Sequence, residues 1–342
     1  MKKKSSFFVS IGILIVFFLA GCSGGANEAN GKGGDKVVIR IGHDSSTNHP
    51  SHTALEEFEK TVEQRSENKI DVQLFPAGQL GDASEIMEQV RRGDVEMGLG
   101  ASTHFTKTFP ELAVWESFYL FDDAAHAHRV LDGKAGQETL DALNSNGLTG
   151  LGYMEIGFRN FSNDKKPLET IEDFNGLKIR GYNPLQIKAW ESLGVSLTNL
   201  AWGELFTSLQ QNLIDGQESA TTSFYDEKFY EAQEYWTLTK HVYTNYLWYT
   251  NSKFMDGLSG ENKEIIQEEI KNAITLEREL MAQLEEETLE KLPEEGVKVN
   301  DLPLEERHKM GESMNNAIKD DIIKQTGQEL YDLVKAEVDK ER

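Results

Sequence analysis

The chain has one cysteine, Cys22, in 342 residues, so no disulfide can form within it. It has no surplus of cations: 35 Lys and Arg stand against 58 Asp and Glu, for a formal charge of −23. Binding nucleic acid requires a basic surface to neutralise phosphates, and adsorption to anionic lipid requires one too, so the balance excludes both. The longest nearly unbroken apolar run, residues 7–20, counts 14 residues, short of the ~20 that a membrane-spanning helix needs. Catalytic patterns are also missing: H-E-x-x-H and G-x-x-x-x-G-K-[ST] do not occur, and G-x-S-x-G occurs only as Gly21-Cys22-Ser23-Gly24-Gly25 at the end of the apolar run, not after a predicted strand. Gly98-Leu99-Gly100 lacks the third glycine of a dinucleotide fingerprint. His43, His49 and His52 are spaced by six and three residues, which matches no standard zinc pattern, so no metal or other cofactor is expected. His126 and His128 read as surface residues. What the chain does have is core material: 38% hydrophobic and 9% aromatic residues exclude wholesale disorder. Its length suggests about two domains at ~150 residues each.

The apolar run follows Lys2, Lys3 and Lys4 and ends in Leu19-Ala20-Gly21-Cys22. A positive start, a short apolar stretch and small residues make a secretory leader. The cysteine at its end resembles a lipobox, which implies lipid attachment at Cys22 and removal of residues 1–21. The alternative is an incidental thiol lost with an ordinary leader. Cleavage removes three lysines and takes the charge from −23 to −26. Residues 22–36, rich in Gly and Ser, read as a flexible tether. The folded part is thus expected outside the cell, tied to the membrane by lipid.

From residue 37 short β runs alternate with helical stretches, which reads as α/β. Residues 37–42 and 71–75 form strands. Residues 50–65 form a helix with Ala54, Leu55, Phe58 and Val62 on one face. Residues 82–92 form a second helix and 95–99 a third strand. Gly93 and Asn212 both stand where a helix commonly ends in a left-handed residue, which marks two comparable αβ units ~120 residues apart, one per domain. Residues 261–291 lack Pro and Gly and carry an apolar stripe that includes Ile266, Ile270, Ile274 and Met281. At ~1.5 Å per residue this helix runs ~45 Å, with Pro293 as its stop.

Residues 157–190 depart from the acidic average: six cations, among them Arg159 and Arg180, face four acids, net +2. In the strand 177–180, alternation buries Leu177 and Ile179 and turns Lys178 and Arg180 to the other face. Asn183 is a plausible N-cap with Pro184 at the first helical position. Arg180 therefore stands beside a helix N-terminus, a place that favours anions. Two readings fit this spacing. The guanidinium either holds a ligand carboxylate through two parallel hydrogen bonds or makes a structural ion pair with a neighbouring acid.

The ordered motifs Asp173-Phe174-Asn175-Gly176-Leu177-Lys178-Ile179-Arg180, Trp202-Gly203-Glu204-Leu205 and Ile214-Asp215-Gly216-Gln217-Glu218 resemble the solute-binding proteins of tripartite ATP-independent periplasmic (TRAP) transporters, of the DctP type. Phe75-Pro76-Ala77-Gly78-Gln79-Leu80-Gly81-Asp82 supports the resemblance, which covers residues 37–340. It implies a two-domain, periplasmic-binding-protein-like α/β fold with a long helix spanning both domains. Domain I would hold residues 37–156 and about 245–284, and domain II 157–244 and about 285–340. It also implies capture of an organic acid in the interdomain cleft and delivery to small and large membrane subunits (DctQ- and DctM-like). Arg180 matches the family's carboxylate clamp and Arg159 a second ligand-side arginine. Trp202 would form an apolar wall, with Asp44 on the loop after the first strand facing the cleft beside His43. Asn183, Phe105 and Tyr246 join the candidate site. Ser219 replaces an asparagine usual in the family, and Ala101 a glutamate found in relatives that bind sialic acid. Glu204 is expected to brace the helix 204–211, and Trp190, Trp236 and Trp248 to lie in the core. An ABC-type or sensory receptor with the same architecture, and an exported hydrolase, are the alternative readings; the missing enzyme motifs count against the last.

Overall fold

The computed structural model of the protein describes residues 36–342. The leader, Cys22 and nearly all of the tether lie outside the described residues.

In chain order the elements are β1 (Val37–His43), α1 (Pro50–Arg65), β2 (Ile70–Phe75), α2 (Ala83–Arg92), β3 (Met97–Ala101), α3 (Ala124–Asp132), α4 (Lys134–Asp141) and β4 (Leu148–Asn163). Then follow β5 (Lys178–Gly181), α5 (Pro184–Glu191), β6 (Ser196–Asn199), α6 (Leu205–Gln210), β7 (Gly216–Ala220), α7 (Thr221–Asp226) and β8 (Tyr235–Asn251). The chain closes with α8 (Ser252–Gly257), α9 (Gly260–Glu294), β9 (Lys298–Asp301), α10 (Leu304–Thr326) and α11 (Gln328–Glu341).

Local chemistry accounts for many of these bounds. Pro50 opens α1, and the His49 ring accepts the Ser51 N–H. Asp82 caps α2 in a reciprocal capping box with Glu85, and Gly93 ends it in the left-handed region at φ 83°. That C-cap holds Asp94 in a turn, its N–H bonded to the Gln89 carbonyl. The expected strand at 95–99 therefore starts later, at Met97. Asn212, at φ 53°, ends the equivalent unit in the second half. Pro293 lies in the last turn of α9, and the helix stops one residue beyond it.

The strands form one sheet in the order β2-β1-β3-β8-β4-β7-β5-β6, with β9 added beside β8. Its spine is the antiparallel pair β4 and β8, 16 and 17 residues long. Bulges between Gly150 and Gly152, Glu155 and Gly157, and Arg159 and Phe161 let these long strands bend. On one side β1 pairs in parallel with β2 and β3; on the other, β5 pairs in parallel with β6 and β7. Helices cover both sets. Along α9, Ile266, Ile270 and Ile274 enter the core under β1–β3, while Leu292 enters a second core with Trp236 and Phe224. At ~1.5 Å per residue a helix of this length reaches ~50 Å, enough to serve both.

The expectation that His126 and His128 lie at the surface fails because of contacts between distant residues. His126 is buried, not at the surface: its Nε2 lies 2.9 Å from the Val338 carbonyl oxygen, under α11. His128 is half-buried with Nε2 2.9 Å from the Glu155 carboxylate. The division that placed residues 285–340 with the second domain also meets α11 elsewhere. Val334 and Val338 pack against Ala127, Val130 and Leu131 of α3.

Glu277, on the buried face of α9, carries a testable consequence. One carboxylate oxygen accepts the Glu155 N–H at 2.9 Å, and the other has no partner among the described residues. Burial, reinforced by the Glu155 charge, raises its pKa well above the carboxyl range, against the pull of Glu155 N–H and Arg278. The folded state therefore binds a proton that the unfolded state releases, and stability falls as pH rises through the folded pKa. Thermal unfolding between about pH 5 and 8 is expected to show a flatter pH dependence for Glu277→Gln than for wild type. Parallel curves would remove Glu277 as a source of that dependence.

Candidate functional site

A cavity of about 410 Å³ opens at the carboxyl ends of β1, β3 and β5, the end at which open α/β sheets commonly take ligands. The loop after β1 supplies Asp44, Ser45 and His49; the end of β3 and the turn after it supply Ala101, Thr103 and His104. β4 supplies Ile156 and Arg159, and β5 with its exit supplies Arg180 and Tyr182. Trp202, Ser223, Asp226, Glu227, Thr244 and Tyr246 close the remaining wall.

The two arginines are in different electrostatic states. Arg159 is engaged in a bidentate ion pair with Glu218 of β7: Nε donates to one carboxylate oxygen, and Nη2 to the other at 2.9 Å and to the Glu218 carbonyl at 2.6 Å. The Glu218 oxygen that accepts Arg159 Nε also receives His241 Nε2 at 3.0 Å, and His241 Nδ1 lies 2.7 Å from the Thr239 hydroxyl. Burial works to raise the Glu218 pKa, but the Arg159 charge and the His241 bond outweigh it and hold the carboxyl far below its usual range. Burial lowers the His241 pKa, so the ring is neutral and donates from Nε2.

Arg180 has no such partner. Among the described residues no carboxylate lies within 4.0 Å of its guanidinium, and its one protein hydrogen bond runs from Nε to the Leu200 carbonyl at 2.9 Å. Its planar group lies over the Tyr182 ring at 5.0 Å and the Trp202 ring at 5.3 Å. Trp202 is fixed by an Nε1–H bond to Glu227 at 2.9 Å and an edge contact with Phe229. Burial and the nearby Arg159 lower the Arg180 pKa, the mark of a cation short of counter-charge. The structural ion pair that spacing left open for Arg180 is thus made by Arg159 instead.

Of the other expected site residues, Asp44 and Tyr246 line the cavity, and Tyr246 packs edge-on to His49 with ring centroids 5.6 Å apart. Three do not line it. Phe105 is fully buried against Tyr249, in the gap left by Gly100. Ser219 is fully buried because both faces of β7 are covered. Asn183 caps α5 as expected, but its side-chain amide turns to Glu116 at 2.8 Å, beside an adjoining hollow. His43 also points inward, to His52 at 3.1 Å, and among the described residues no group of three or more His, Cys, Asp or Glu is placed to hold a metal. Glu204 braces its helix by accepting the Ala201 N–H, and Trp190, Trp236 and Trp248 are buried. Sequence reasoning missed Tyr182, His104, Asp226 and Glu227. Tyr182 was within reach, two residues past Arg180; the acids at the C-terminal end of α7 carried no local signal.

The model of the family described as bacterial extracellular solute-binding protein, family 7 (DctP), matches residues 41–325. The chain belongs to this family. It is 32% identical over 300 residues to the 2,3-diketo-L-gulonate-binding periplasmic protein YiaO of Escherichia coli (strain K12), covering 87% of this chain and 90% of that one. Among solved structures it is similar to a TRAP periplasmic solute-binding protein of Ochrobactrum anthropi whose C-terminus is bound in the ligand-binding pocket: TM-score 0.85, 31% identity, 89% and 95% coverage. It is also similar to the sugar acid binding protein DctPAm of Advenella mimigardefordensis in complex with galactonate: TM-score 0.82, 31% identity, 89% and 98% coverage. The fold is therefore the two-domain periplasmic-binding-protein fold.

For a solute-binding family the pairing of Arg159 matters as much as the freedom of Arg180. Glu218→Ala would leave a largely buried guanidinium without its anion. Urea unfolding is expected to show a loss of about 3–5 kcal/mol. A loss within experimental error would mean that solvent replaces Glu218 at no cost.

Proposed function

We propose that the chain is the extracytoplasmic receptor of a TRAP-type secondary transporter and captures an organic acid in this cleft. The observation that carries the reading is the Arg180 guanidinium, stacked between Tyr182 and Trp202 and unmatched by any carboxylate within 4.0 Å among the described residues. With Nε tied to Leu200, the Nη groups remain to donate to a carboxylate. Such a bond has value only where water is largely excluded, because exposed pairs yield ~0–1 kcal/mol. The cleft walls that would exclude it come from both sides of the β4–β8 spine. Relatives point the same way: one binds 2,3-diketo-L-gulonate, one galactonate, and one a polypeptide C-terminus. Each of these offers a carboxylate.

In this reading the protein binds and releases without turnover. Residues 37–156 with about 245–284 form one domain and residues 157–244 the core of the other, and the acid favours the closed state by touching both. Asp44 lends polar selectivity, while Arg159 stays paired with Glu218 and shapes the wall. The closed receptor then delivers the acid to the small and large membrane subunits. Lipid on Cys22 would hold the protein at the membrane outside the cell, since its net charge of −23 opposes adsorption to anionic lipid.

Two measurements test this. A thermal-shift screen against organic acids should reveal a ligand, since a compound at ~100 times its Kd stabilises by ~2.7 kcal/mol. For that acid, Arg180→Lys is expected to weaken binding by about 10- to 100-fold in calorimetry, because an ammonium cannot make two parallel bonds; unchanged affinity would take Arg180 out of the site. Membrane fractionation of Cys22→Ala should find the protein released or unprocessed, and a variant still lipidated would defeat the anchoring reading.

A further inference from the structure

The cleft contains an imbalance that carboxylate capture does not explain. Arg159 and Glu218 together are neutral, which leaves Arg180, among the described residues, as the single uncompensated cation of the wall. Three acids, Asp44, Asp226 and Glu227, line the same cavity. None of them is in an ion pair within 4.0 Å among the described residues. The cavity's two histidines do not offset them. Burial holds the His49 pKa near about 4, and burial also lowers that of His104. A cavity of about 410 Å³ is on the order of 9 Å across, near one Debye length at physiological salt, so every charge on its wall acts on anything inside it.

A ligand carboxylate on Arg180 uses the one free positive charge that the described residues place on the wall. A second carboxylate would meet three acids and no cation, and like charges placed together at a binding surface are strongly disfavoured. Hydroxyl groups would meet the reverse situation. Ionised carboxylates are acceptors only, so Asp44 and Asp226 suit O–H donors, and Ser45, Thr103 and Ser223 add further hydroxyl partners. Glu227 contributes its charge while its side chain holds Trp202 against Arg180.

From this wall, and resting on the receptor reading above, we infer that the cleft selects polyhydroxylated monocarboxylates and rejects dicarboxylates, with Asp226 and Glu227 as the residues that exclude the second carboxylate. Burial and the neighbouring Glu227 raise the Asp226 pKa, as expected for an acid without a matching cation.

The test compares acids that share one carbon skeleton and differ only in a terminal CH₂OH or carboxylate: galactonate with galactarate, and gluconate with glucarate. Calorimetry on the wild-type protein is expected to show at least about tenfold tighter binding of the monoacid in each pair that binds. In the double variant Asp226→Asn, Glu227→Gln the gap is expected to narrow to about threefold or less. The glutamine retains an acceptor for Trp202, so tryptophan fluorescence should stay at its wild-type position. Arg180→Lys should instead weaken both members of a pair together. A diacid that binds wild type as tightly as its monoacid overturns the inference, as does a gap that survives in the double variant. If these four acids fail and a screen returns a carboxylate without hydroxyls, the selectivity is overturned while the receptor reading stands. If no acid binds at all, the receptor reading fails first.

Discussion

Glu218 determines which of two guanidiniums in the cleft is available. Arg159 reaches it from β4 and His241 from β8, while Glu218 itself belongs to β7. The pair therefore crosslinks the three central strands of the sheet at the floor of the cavity, where β4 has just passed a bulge at Gly157. With Arg159 matched in place, its charge cannot also serve a ligand without loss of the Glu218 bond. Desolvating two ions is costly, and two parallel hydrogen bonds with a third contact from His241 are the geometry in which that cost is offset. The consequence is a cleft with two arginines but one open positive charge.

Arg180 stays open because its other surfaces are occupied. Tyr182 and Trp202 contact the guanidinium by their rings, and the Leu200 carbonyl takes Nε. The cation is then limited in orientation before any ligand arrives, so little side-chain entropy remains to be lost on binding. Glu227 extends this arrangement by one bond, because it fixes the indole that lies against Arg180. The fold supplies the rest: β1, β3 and β5 all end at this cavity, so short loops from distant parts of the chain converge on it.

Features with local causes were legible in the sequence. The helix at 50–65, the Asp82–Glu85 capping box ending in Gly93, and the Asn183 cap followed by Pro184 each depend on residues a few positions apart. Alternation along β5 placed Leu177 and Ile179 inside and Arg180 on the cleft face. Pairings across long stretches of chain were not legible. That Arg159 is matched and Arg180 is not depends on Glu218, 59 positions from Arg159. His126 is buried by a helix more than 200 residues away, and its spacing says nothing of that contact. Ser219 and Phe105 lie off the cavity wall for the same reason. A strand covered on both faces, and a ring drawn into the gap at Gly100, are properties of neighbours that the local pattern does not contain.

The overall charge acquires a different meaning when set against these contacts. A total of −23 would repel an organic acid if it acted as one distant charge, but the field of exposed acids fades beyond about 8–10 Å at physiological salt. Much of the excess stands on solvated helix faces, such as Glu286, Glu287, Glu290 and Glu294 of α9, where screening is strongest. On the cleft wall Arg180 is half-buried between Tyr182 and Trp202, and a unit charge there counts for more than one on an open helix face. Charges there act singly rather than as a sum. On the proposed reading, Arg180 attracts an anion despite the total, and Asp44, Asp226 and Glu227 discriminate between anions despite being only three of 58 acids. Net charge governs what the surface avoids, and on the proposed reading the few charges that converge on the cleft wall govern what it accepts.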